Sequence, residues 1–332
     1  MFRIFKCAGL AEEHARIQAE ILIWANLRGI DSHGVLRIPR YLEWLREGRM
    51  NPTPKIKITS ETTAAVIVEG DRAPGVLSMT FAMNRAIEKA RAAGIGLALV
   101  SHTTHSGPVG YYTQMAVRAN MAGIAIMSSR PNMAYFGAKT AGVATNPISI
   151  AVPGGPDDSV MLDMASSELA LGKIKDALAR GAALPEAGAL TKDGVPTTDP
   201  AQAAIPMPLG GAKGSGLSLM FEALTSLMLG NPLLEPALEG RERGHSQNGL
   251  AIAINIGAFT DTEGYREQMS ALSRALKGLP PMEYGKEILL PGEPENRRLN
   301  ARRRTGIPLP DSIWSQLSAA AEAFGVPMPL ST

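Results

Sequence analysis

The sequence predicts an α/β fold in which helices from both ends of the chain flank a central sheet. Helical and strand-like hydrophobic patterns alternate through the middle of the chain, while both ends are mainly helical. The length of 332 residues, with 45% hydrophobic and 19% charged side chains, allows a sizeable buried core. We therefore expect a helical layer formed by residues 1–55 and 262–332 and an α/β core formed by residues 56–261.

The N-terminal elements follow from hydrophobic periodicity. Apolar side chains recur at helical spacing over residues 8–29, and Gly29 ends this run. The turn DSHG at residues 31–34 then begins a second helix that extends through Leu45. The next predicted elements are two strands within residues 55–69, a helix over 77–94, a strand over 95–102, a helix from Gly110 and a strand over 124–129.

The C-terminal half contains further strands and a loop rich in glycine. The apolar runs GVATNPISIAVPG (142–154) and SVMLDMAS (159–166) predict strands. The loop GGAKGSG (210–216) precedes a long apolar helix, and GLAIAINIGAF (249–259) predicts a last core strand. The remaining chain is helical and charged, apart from the turn LPGEPE at residues 290–295.

Charge and cysteine content disfavour several classes of protein. The net charge is +2, so bulk electrostatics favour neither a nucleic acid nor an anionic membrane as a partner. The basic run RRLNARRRTG (297–306) is typical of a solvated helix face, with a polyanion site as the less favoured alternative. Cys7 is the single cysteine, which favours a reducing compartment. Because the first residues also lack the apolar segment of a signal peptide, we expect a cytoplasmic protein.

The glycine-rich loop at residues 210–216 is a candidate anion-binding site. The chain lacks a strand followed by the G-x-G-x-x-G fingerprint of dinucleotide binding, and this loop lacks the spacing of a P-loop. It does combine backbone N–H groups at the start of a helix with the Lys213 ammonium, which suits a phosphate or carboxylate. A plain turn before a helix is the alternative, but such a turn would need fewer glycines.

The histidine of the DSHG turn is a candidate for proton transfer. Arg37 and Tyr41 follow His33 within about two helical turns. An imidazole is the usual general acid or base near neutral pH, and a guanidinium can bind a carboxylate through two parallel hydrogen bonds. The alternative for His33 is a helix-start histidine capped by Asp31 or Ser32, since both residue types are favoured helix caps.

A second pair of histidines lies in HTTHSGPVG, directly after a predicted strand. His102 and His105 are three residues apart, a spacing that can bind a metal, but no carboxylate lies nearby in the sequence to complete such a site. We expect no metal here. A catalytic or cofactor-contacting role for one of these histidines is better supported, because the small residues around them let a ligand approach.

Seven stretches, in order along the chain, carry a resemblance to a known family. They are LRGIDSHGVLRIPRY, THSGPVGYY, GVATNPISIAVP, LDMASSELALGKI, KDGVPTTDP, PLGGAKGSGL and LLPGEPE. With them the sequence resembles the type 2 malate/L-lactate dehydrogenase family, which includes ureidoglycolate, sulfolactate and diketogulonate dehydrogenases and cyclic-imine reductases. The resemblance implies a non-Rossmann nicotinamide-binding core with a mixed sheet, in agreement with the missing fingerprint. It also implies a homodimer with the active site near the subunit interface.

The resemblance implies roles for individual residues. His33 matches the proton donor or acceptor of several members, whereas His105 matches the histidine to which ureidoglycolate enzymes assign that role. Arg37 matches a residue that binds the substrate carboxylate, and we favour His33 because Arg37 lies one turn away on the same predicted helix. The implied cofactor contacts are Ser129, Asp163, Met164, Ala165, Lys213, Gly214, Glu293, Pro294 and Glu295.

The expected activity is hydride transfer between a nicotinamide cofactor and a small 2-hydroxy or 2-oxo acid such as malate, lactate or ureidoglycolate. NAD is the expected cofactor, and NADP is the alternative because Arg130 could pair with its 2′-phosphate. An NADPH-dependent cyclic-imine reductase is the second reading, and a catalytically silent ligand-binding relative is the third. The substrate stays open, because HTTHSGPVG replaces the commoner histidine–phenylalanine–glycine form and Ser215 stands where many relatives have tyrosine.

Overall fold

The computed structural model describes residues 1–155, 157–169, 171–185, 188–241, 246–283 and 285–328. Its α-helices are α1 (Phe2–Cys7), α2 (Glu12–Leu27), α3 (Ile38–Arg46), α4 (Gly75–Ala93), α5 (Gly110–Arg118), α6 (Leu171–Arg180), α7 (Ala212–Glu222), α8 (Leu234–Leu238), α9 (Thr262–Lys277), α10 (Glu293–Thr305) and α11 (Asp311–Ala323). Its strands are β1 (Lys57–Glu61), β2 (Ala65–Glu69), β3 (Ile95–Thr103), β4 (Met121–Ser128), β5 (Met133–Ala134), β6 (Ala141–Val143), β7 (Pro147–Pro153), β8 (Ser159–Ala165), β9 (Ala189–Leu190), β10 (Pro196–Thr197), β11 (Ile205–Pro206) and β12 (Gln247–Asn255).

Seven strands form the central sheet in the order β1-β2-β3-β12-β4-β7-β8. Only the β2–β3 pair is parallel, and the other neighbours are antiparallel. A doubly wound dinucleotide-binding sheet would instead be mostly parallel. The structure therefore confirms the predicted α/β class with a mixed, non-Rossmann sheet. The last predicted core strand, β12, lies between β3 and β4 near the centre of the sheet.

Helices cover the two faces of the sheet unequally. On one face α4 and α5 bury the main core, which includes Met79, Met83 and Tyr112. On the other face α7 and the π-helical turn Ala223–Leu227 cover a smaller cluster around Phe221. No helix in the described part of the chain combines the length and apolar character needed to cross a membrane.

The two ends of the chain share a second core. Its members come from residues 1–50 and from the segment that includes α11, and they include Phe5, Tyr41 and Leu317. Helix α9 instead packs on the β7–β8 hairpin, where Ser270 Oγ accepts a hydrogen bond from the Gly155 N–H. We keep the division into a helical layer of residues 1–55 and 262–332 and a core of residues 56–261 as a proposal.

Two boundaries near the N-terminus differ from the prediction. The predicted run over residues 8–29 forms α2 alone, and a separate helix, α1, precedes it. The chain turns between the two helices at Gly9, which has a left-handed backbone conformation with φ of 101°. The α-helix after DSHG begins only at Ile38, since two 3₁₀ turns, Asp31–His33 and Val35–Arg37, precede it. Neither turn has a side-chain cap, so the helix-cap alternative for Asp31 and Ser32 is wrong.

The basic run at residues 297–306 lies on α10. Arg297 contacts Glu287 and Glu293, and Arg298 contacts Glu295. Arg302 reaches across to the N-terminal layer, where it pairs with Asp31. Three of these arginines therefore form ion pairs within the chain, so the predicted solvated helix face describes only part of the run.

Candidate active site

The DSHG turn is fixed by a side-chain network from α2 and α10. Asn26 Oδ1 accepts a hydrogen bond from the Val35 N–H at 2.8 Å, and Asn26 Nδ2 donates to Asp31 Oδ1 at 2.6 Å. A Cβ atom at Gly34 would clash with the Asn26 amide, which explains the glycine of DSHG. Arg302 donates to both carboxylate oxygens of Asp31, at 2.7 and 3.0 Å.

This turn brings His33 and Arg37 together. Ser32 Oγ lies 2.9 Å from His33 Nδ1, and Arg37 Nε donates to the Ser32 carbonyl at 2.6 Å. Burial, together with the nearby Arg37 charge, lowers the pKa of His33 to about 4, so the ring is neutral near pH 7. Among the described residues, Arg37 has no carboxylate partner, and its guanidinium can therefore bind an anion.

His105 joins His33 from the turn that follows β3. The two rings stack with their centroids 5.3 Å apart and their planes inclined by 22°. His105 Nδ1 lies 2.6 Å from the Tyr41 hydroxyl and accepts a hydrogen bond from the Gly107 N–H at 3.2 Å. A Cβ atom at Gly75 would lie 2.6 Å from the His105 carbonyl carbon, so the start of α4 packs directly on this turn.

His102 lies away from this pair. Its Nδ1 lies 2.9 Å from Glu69 Oε2, and about half of its side chain is exposed. No group of three or more His, Cys, Asp or Glu side chains able to hold a metal occurs in the ranges that the structure describes. The two histidines of HTTHSGPVG are thus placed in different environments, and only His105 meets the DSHG turn.

Asp163 on β8 links the histidine turn to the predicted cofactor residues. Its Oδ2 accepts a hydrogen bond from the Gly110 N–H at the start of α5, at 3.0 Å. Burial raises the pKa of Asp163 to about 6, with Glu295 adding to the rise, while the Gly110 N–H and Arg28 oppose it. Asp163 therefore changes charge close to physiological pH.

The glycine-rich loop packs against the end of the same strand. The Leu209 N–H donates to the Ser166 carbonyl at 2.9 Å, and a Cβ atom at Gly214 would clash with both of these backbone groups. Gly214 is thus buried by the fold and serves the close approach of the backbone, whereas Lys213 is exposed at the start of α7. Lys213 and the helix N-terminus can meet an anionic ligand from solvent.

The remaining predicted cofactor residues lie around the same strand. Ser129 follows β4, and its N–H donates to the Asn146 side chain at 3.0 Å. Met164 and Ala165 are the last two residues of β8 and are partly buried. Pro294 and Glu295 lie in the first turn of α10, whose preceding turn meets β8 where the Met161 N–H donates to the Pro291 carbonyl.

Glu293 differs from its neighbours because its carboxylate is occupied. Lys277 Nζ lies 2.5 Å and Arg297 Nη2 lies 2.6 Å from Glu293 Oε1, while Oε2 accepts a hydrogen bond from the Leu290 N–H. Only 9% of this side chain is exposed. The carboxylate therefore holds the turn together, and a cofactor contact at Glu293 stays a prediction.

Strand β8 and the helix after it connect these parts. Asp163 reaches the turn of His105, Ser166 reaches the glycine-rich loop, and a Cβ atom at Gly172 in α6 would lie 2.8 Å from Ser32 Cβ. An exposed ammonium, a helix N-terminus and a partly buried carboxylate are groups that suit the phosphates and ribose hydroxyls of a dinucleotide. The donor set of this chain therefore fits the phosphate and ribose groups of a dinucleotide cofactor.

Several site residues were not assigned a role from the sequence. Tyr41 lies eight residues after His33, and that spacing was its only signal. Asn26 gave no signal, because an amide in an apolar helix is not distinctive. Arg302 gave none either, since 271 residues separate it from Asp31.

Comparison with known proteins gives consistent matches along the chain. A family model described as malate/L-lactate dehydrogenase matches residues 1–318. The L-sulfolactate dehydrogenase of Methanocaldococcus jannaschii is 37% identical, over 97% of this chain and 94% of that protein, and its solved structure superposes with a TM-score of 0.87. The NAD(+)-dependent ureidoglycolate dehydrogenase of Escherichia coli K12 is 32% identical, over 95% and 91% of the two chains. The solved structure of a Δ1-piperideine-2-carboxylate reductase from Pseudomonas syringae pvar. tomato is 25% identical, with a TM-score of 0.84 over 96% of each chain.

Proposed function

The chain belongs to the malate/L-lactate dehydrogenase family, and from that premise we propose that it transfers a hydride between a nicotinamide cofactor and a small 2-hydroxy or 2-oxo acid. Membership confirms the resemblance carried by the seven sequence stretches. The relatives named above as sulfolactate and ureidoglycolate dehydrogenases act on hydroxy acids, which supports an enzyme of the same type.

The observation that carries the proposal is the grouping of Arg37, His33 and His105. A guanidinium without a carboxylate partner among the described residues lies near His33, whose ring stacks on that of His105. Arg37 would bind the substrate carboxylate and so hold the adjacent carbon near both rings. This combination recognises an acid that carries an oxygen on its second carbon.

We assign proton transfer to His33. In the oxidative direction its neutral ring accepts the hydroxyl proton of the substrate while His105 donates a hydrogen bond to the same oxygen. The carboxylate bound to Arg37 neutralises part of the charge that lowers the pKa of His33, so substrate binding itself favours protonation of the ring. In the reductive direction the protonated ring returns the proton.

The cofactor accepts or supplies the hydride when it is bound, and the protein supplies its binding groups. We propose that Lys213 and the start of α7 hold its phosphates and that Asp163 accepts hydrogen bonds from a ribose. Ser129, Met164, Ala165, Gly214, Glu293, Pro294 and Glu295 complete the proposed cofactor surface. We propose NAD as the cofactor, and Arg130, partly buried directly after Ser129, is the residue to test for a preference for NADP.

Two other functions give different experimental results. A cyclic-imine reductase on the same scaffold is favoured by the structural match to the Pseudomonas syringae reductase, and it would reduce piperideine-2-carboxylate faster than any 2-oxo acid. A ligand-binding relative without activity would turn over neither class. The experiment is a panel of 2-oxo acids and piperideine-2-carboxylate with NADH and with NADPH, followed by the absorbance of the reduced nicotinamide. The proposal would be overturned if the enzyme reduced only piperideine-2-carboxylate, or if it reduced none of the compounds in the panel.

We further propose a homodimer that uses the exposed side of α7 and the neighbouring strands β7 and β8. The exposed apolar side chains on this surface come from α7, from the π-helical turn with the residue after it, and from β7 and β8: Leu217, Leu219, Met220, Leu224, Leu227, Met228, Ile150 and Leu162. An uncovered apolar surface of this kind is typical of a subunit interface, and it adjoins the loop of Lys213. Leu224→Glu should convert the dimer to monomers in light scattering after gel filtration, while Leu238→Glu on α8 should not. We also propose that the enzyme lies in the cytoplasm, because a single cysteine suits a reducing compartment.

A further inference from the structure

Tyr41 makes a contact that the proposed proton transfer does not use. Its side chain is 1% exposed, and its hydroxyl lies 2.6 Å from His105 Nδ1. The Gly107 N–H, two residues beyond the histidine, donates to the same ring nitrogen. Two groups from different elements, α3 and the turn after β3, therefore meet on one atom of His105.

These contacts specify the position of the imidazole proton. A backbone N–H can only donate, so His105 Nδ1 must present its lone pair to Gly107. The Tyr41 hydroxyl must then donate as well, because an unprotonated ring nitrogen has no proton to give. In the neutral ring the proton consequently lies on Nε2.

Tyr41 is suited to remain the donor. Burial raises the pKa of this phenol well above its usual value, and the neighbouring Arg37 only partly opposes the rise. The hydroxyl thus keeps its proton throughout the pH range of ordinary assays. Its neighbour Tyr112 donates instead to the Ser106 carbonyl, so Tyr41 is the tyrosine that acts on the ring.

We propose that Tyr41 is a positioning residue that holds His105 as the neutral tautomer with its proton on Nε2. In this tautomer His105 donates a hydrogen bond to the substrate oxygen and leaves proton transfer to His33, a consequence that rests on the proposed function. The assignment of the tautomer rests only on the contacts of Nδ1 and is independent of the proposed function. The two donors on Nδ1 also disfavour the imidazolium, because a proton on Nδ1 would face the Gly107 N–H.

A role in packing alone would give a different result. Tyr41 belongs to the core shared by the two ends of the chain, so loss of its hydroxyl could lower stability whatever its effect on the ring. Only a positioning role changes the protonation of His105. Tyr111→Phe is the matched control, since it also removes a tyrosine hydroxyl, one that donates to Glu20 at 2.8 Å on the neighbouring helix.

The experiment is ¹⁵N NMR of the full-length protein labelled at histidine, with His105→Asn to assign the resonances. In the wild type we expect the Nε2–H tautomer of His105. In Tyr41→Phe only the weaker donor, the Gly107 N–H, remains on Nδ1. We therefore expect a mixture of tautomers in that variant, with the pKa of His105 raised by up to about one unit. Tyr111→Phe should match the wild type. An Nδ1–H tautomer in the wild type, or an unchanged titration of His105 in Tyr41→Phe, would overturn the proposal.

Kinetics separate this proposal from the function on which it draws. We expect Tyr41→Phe to act as a weaker form of His105→Asn, lowering kcat by up to about tenfold and raising the substrate KM about threefold, because part of the His105 population no longer donates to the substrate oxygen. If the NMR result holds and no 2-oxo acid is reduced by the wild type, the proposed function fails and the tautomer assignment stands. If Tyr41→Phe does not fold, the tautomer in the wild type remains a sufficient test.

Discussion

Arg302 and Asp31 form a two-point ion pair that joins the C-terminal helix α10 to the turn carrying His33. The same arginine also donates to the Asn26 carbonyl, and Asn26 in turn holds Asp31 and Val35. A planar guanidinium with two parallel hydrogen bonds defines an orientation as well as a distance. The pair therefore fixes the position of His33 relative to α10, whose first turn carries proposed cofactor contacts.

Loss of this pair should reduce activity more than stability. Arg302→Ala leaves the turn without its anchor, and a displacement of about 1 Å in a reacting group can cost on the order of 100-fold in rate. We expect kcat to fall by about 10- to 100-fold, with a loss of about 1 kcal/mol in the free energy of unfolding, because Asp31 is nearly half exposed. Steady-state kinetics and urea denaturation measure the two effects. Arg304→Ala, an exposed arginine of the same helix, is the control, and equal kinetics in both variants would contradict the role.

The two stacked histidines should differ in their contribution to the rate. His33→Asn removes the proposed proton-transfer group, so kcat should fall by about 10²–10⁴-fold. His105→Asn removes a hydrogen-bond donor, so it should lower kcat less and change the substrate KM more. The measurement is steady-state kinetics of both variants in both reaction directions. If His33→Asn keeps the wild-type kcat while His105→Asn abolishes it, proton transfer belongs to His105.

Much of the fold followed from local periodicity. The strands at 57–61, 65–69 and 95–103 and the helix at 75–93 lie where hydrophobic spacing placed them. The position of β12 between β3 and β4 did not follow, because strand order depends on contacts between distant segments. The start of α3 was also displaced, since Asn26 binds the backbone of the DSHG segment and holds it in 3₁₀ turns.

The site was predictable where one short segment carries its groups. His33, Arg37 and Tyr41 lie within nine residues, so closeness in the sequence placed them near one another, although two 3₁₀ turns replace the start of the predicted helix. The stacking of His33 on His105 joins segments 72 residues apart and needed the family resemblance. The Arg302 contact has no local signal, because a basic run on a highly charged helix gives the same pattern whether its charges are solvated or paired.

Arg37 should control the pH dependence of oxidation. The base must be neutral to accept a proton, so kcat/KM falls as the pH drops through the pKa of His33, which is about 4 in the free enzyme. Burial is the larger cause of the low pKa and the Arg37 charge the smaller one, so Arg37→Gln should move the fall to higher pH but leave it below the ordinary value of 6.5. The same variant should raise the substrate KM at least about tenfold, since the two-point contact is lost. Arg46→Gln, exposed at the end of α3, is the control. If the fall in kcat/KM at low pH stays at the same pH in Arg37→Gln, Arg37 does not influence the pKa of His33.

Lys213 should act on the cofactor alone. It is exposed at the start of α7, so Lys213→Ala should change the free energy of unfolding by less than about 0.5 kcal/mol. The cofactor KM should rise at least about tenfold, because an ammonium is removed from a proposed phosphate site. Initial rates at varied cofactor concentration measure this change, and Lys192→Ala, in another exposed loop, should match the wild type. A wild-type cofactor KM in Lys213→Ala would remove the residue from the site.

Replacement of Asp163 by asparagine should raise stability near neutral pH and weaken cofactor binding. Its pKa in the folded protein, about 6, lies above its usual value of 3.8, so the ionised form is disfavoured by folding. The contribution of Asp163 to stability is therefore complete below about pH 4 and is lost as the pH rises through 6. Asp163→Asn does not ionise, so at pH 8 it should be more stable than the wild type by about 1 kcal/mol, and this gain should disappear near pH 4.

The same substitution should weaken cofactor binding, because an amide offers one acceptor oxygen where the carboxylate offers two. We expect the cofactor KM of Asp163→Asn to rise about tenfold at pH 8. Asp193→Asn, an exposed aspartate, controls for the loss of one negative charge and should alter neither quantity. Urea denaturation at pH 4 and pH 8, together with cofactor titrations, gives both measurements on one preparation. A variant that is less stable than the wild type at pH 8 would show that the buried charge of Asp163 stabilises the fold, and an unchanged cofactor KM would remove its carboxylate from the binding surface.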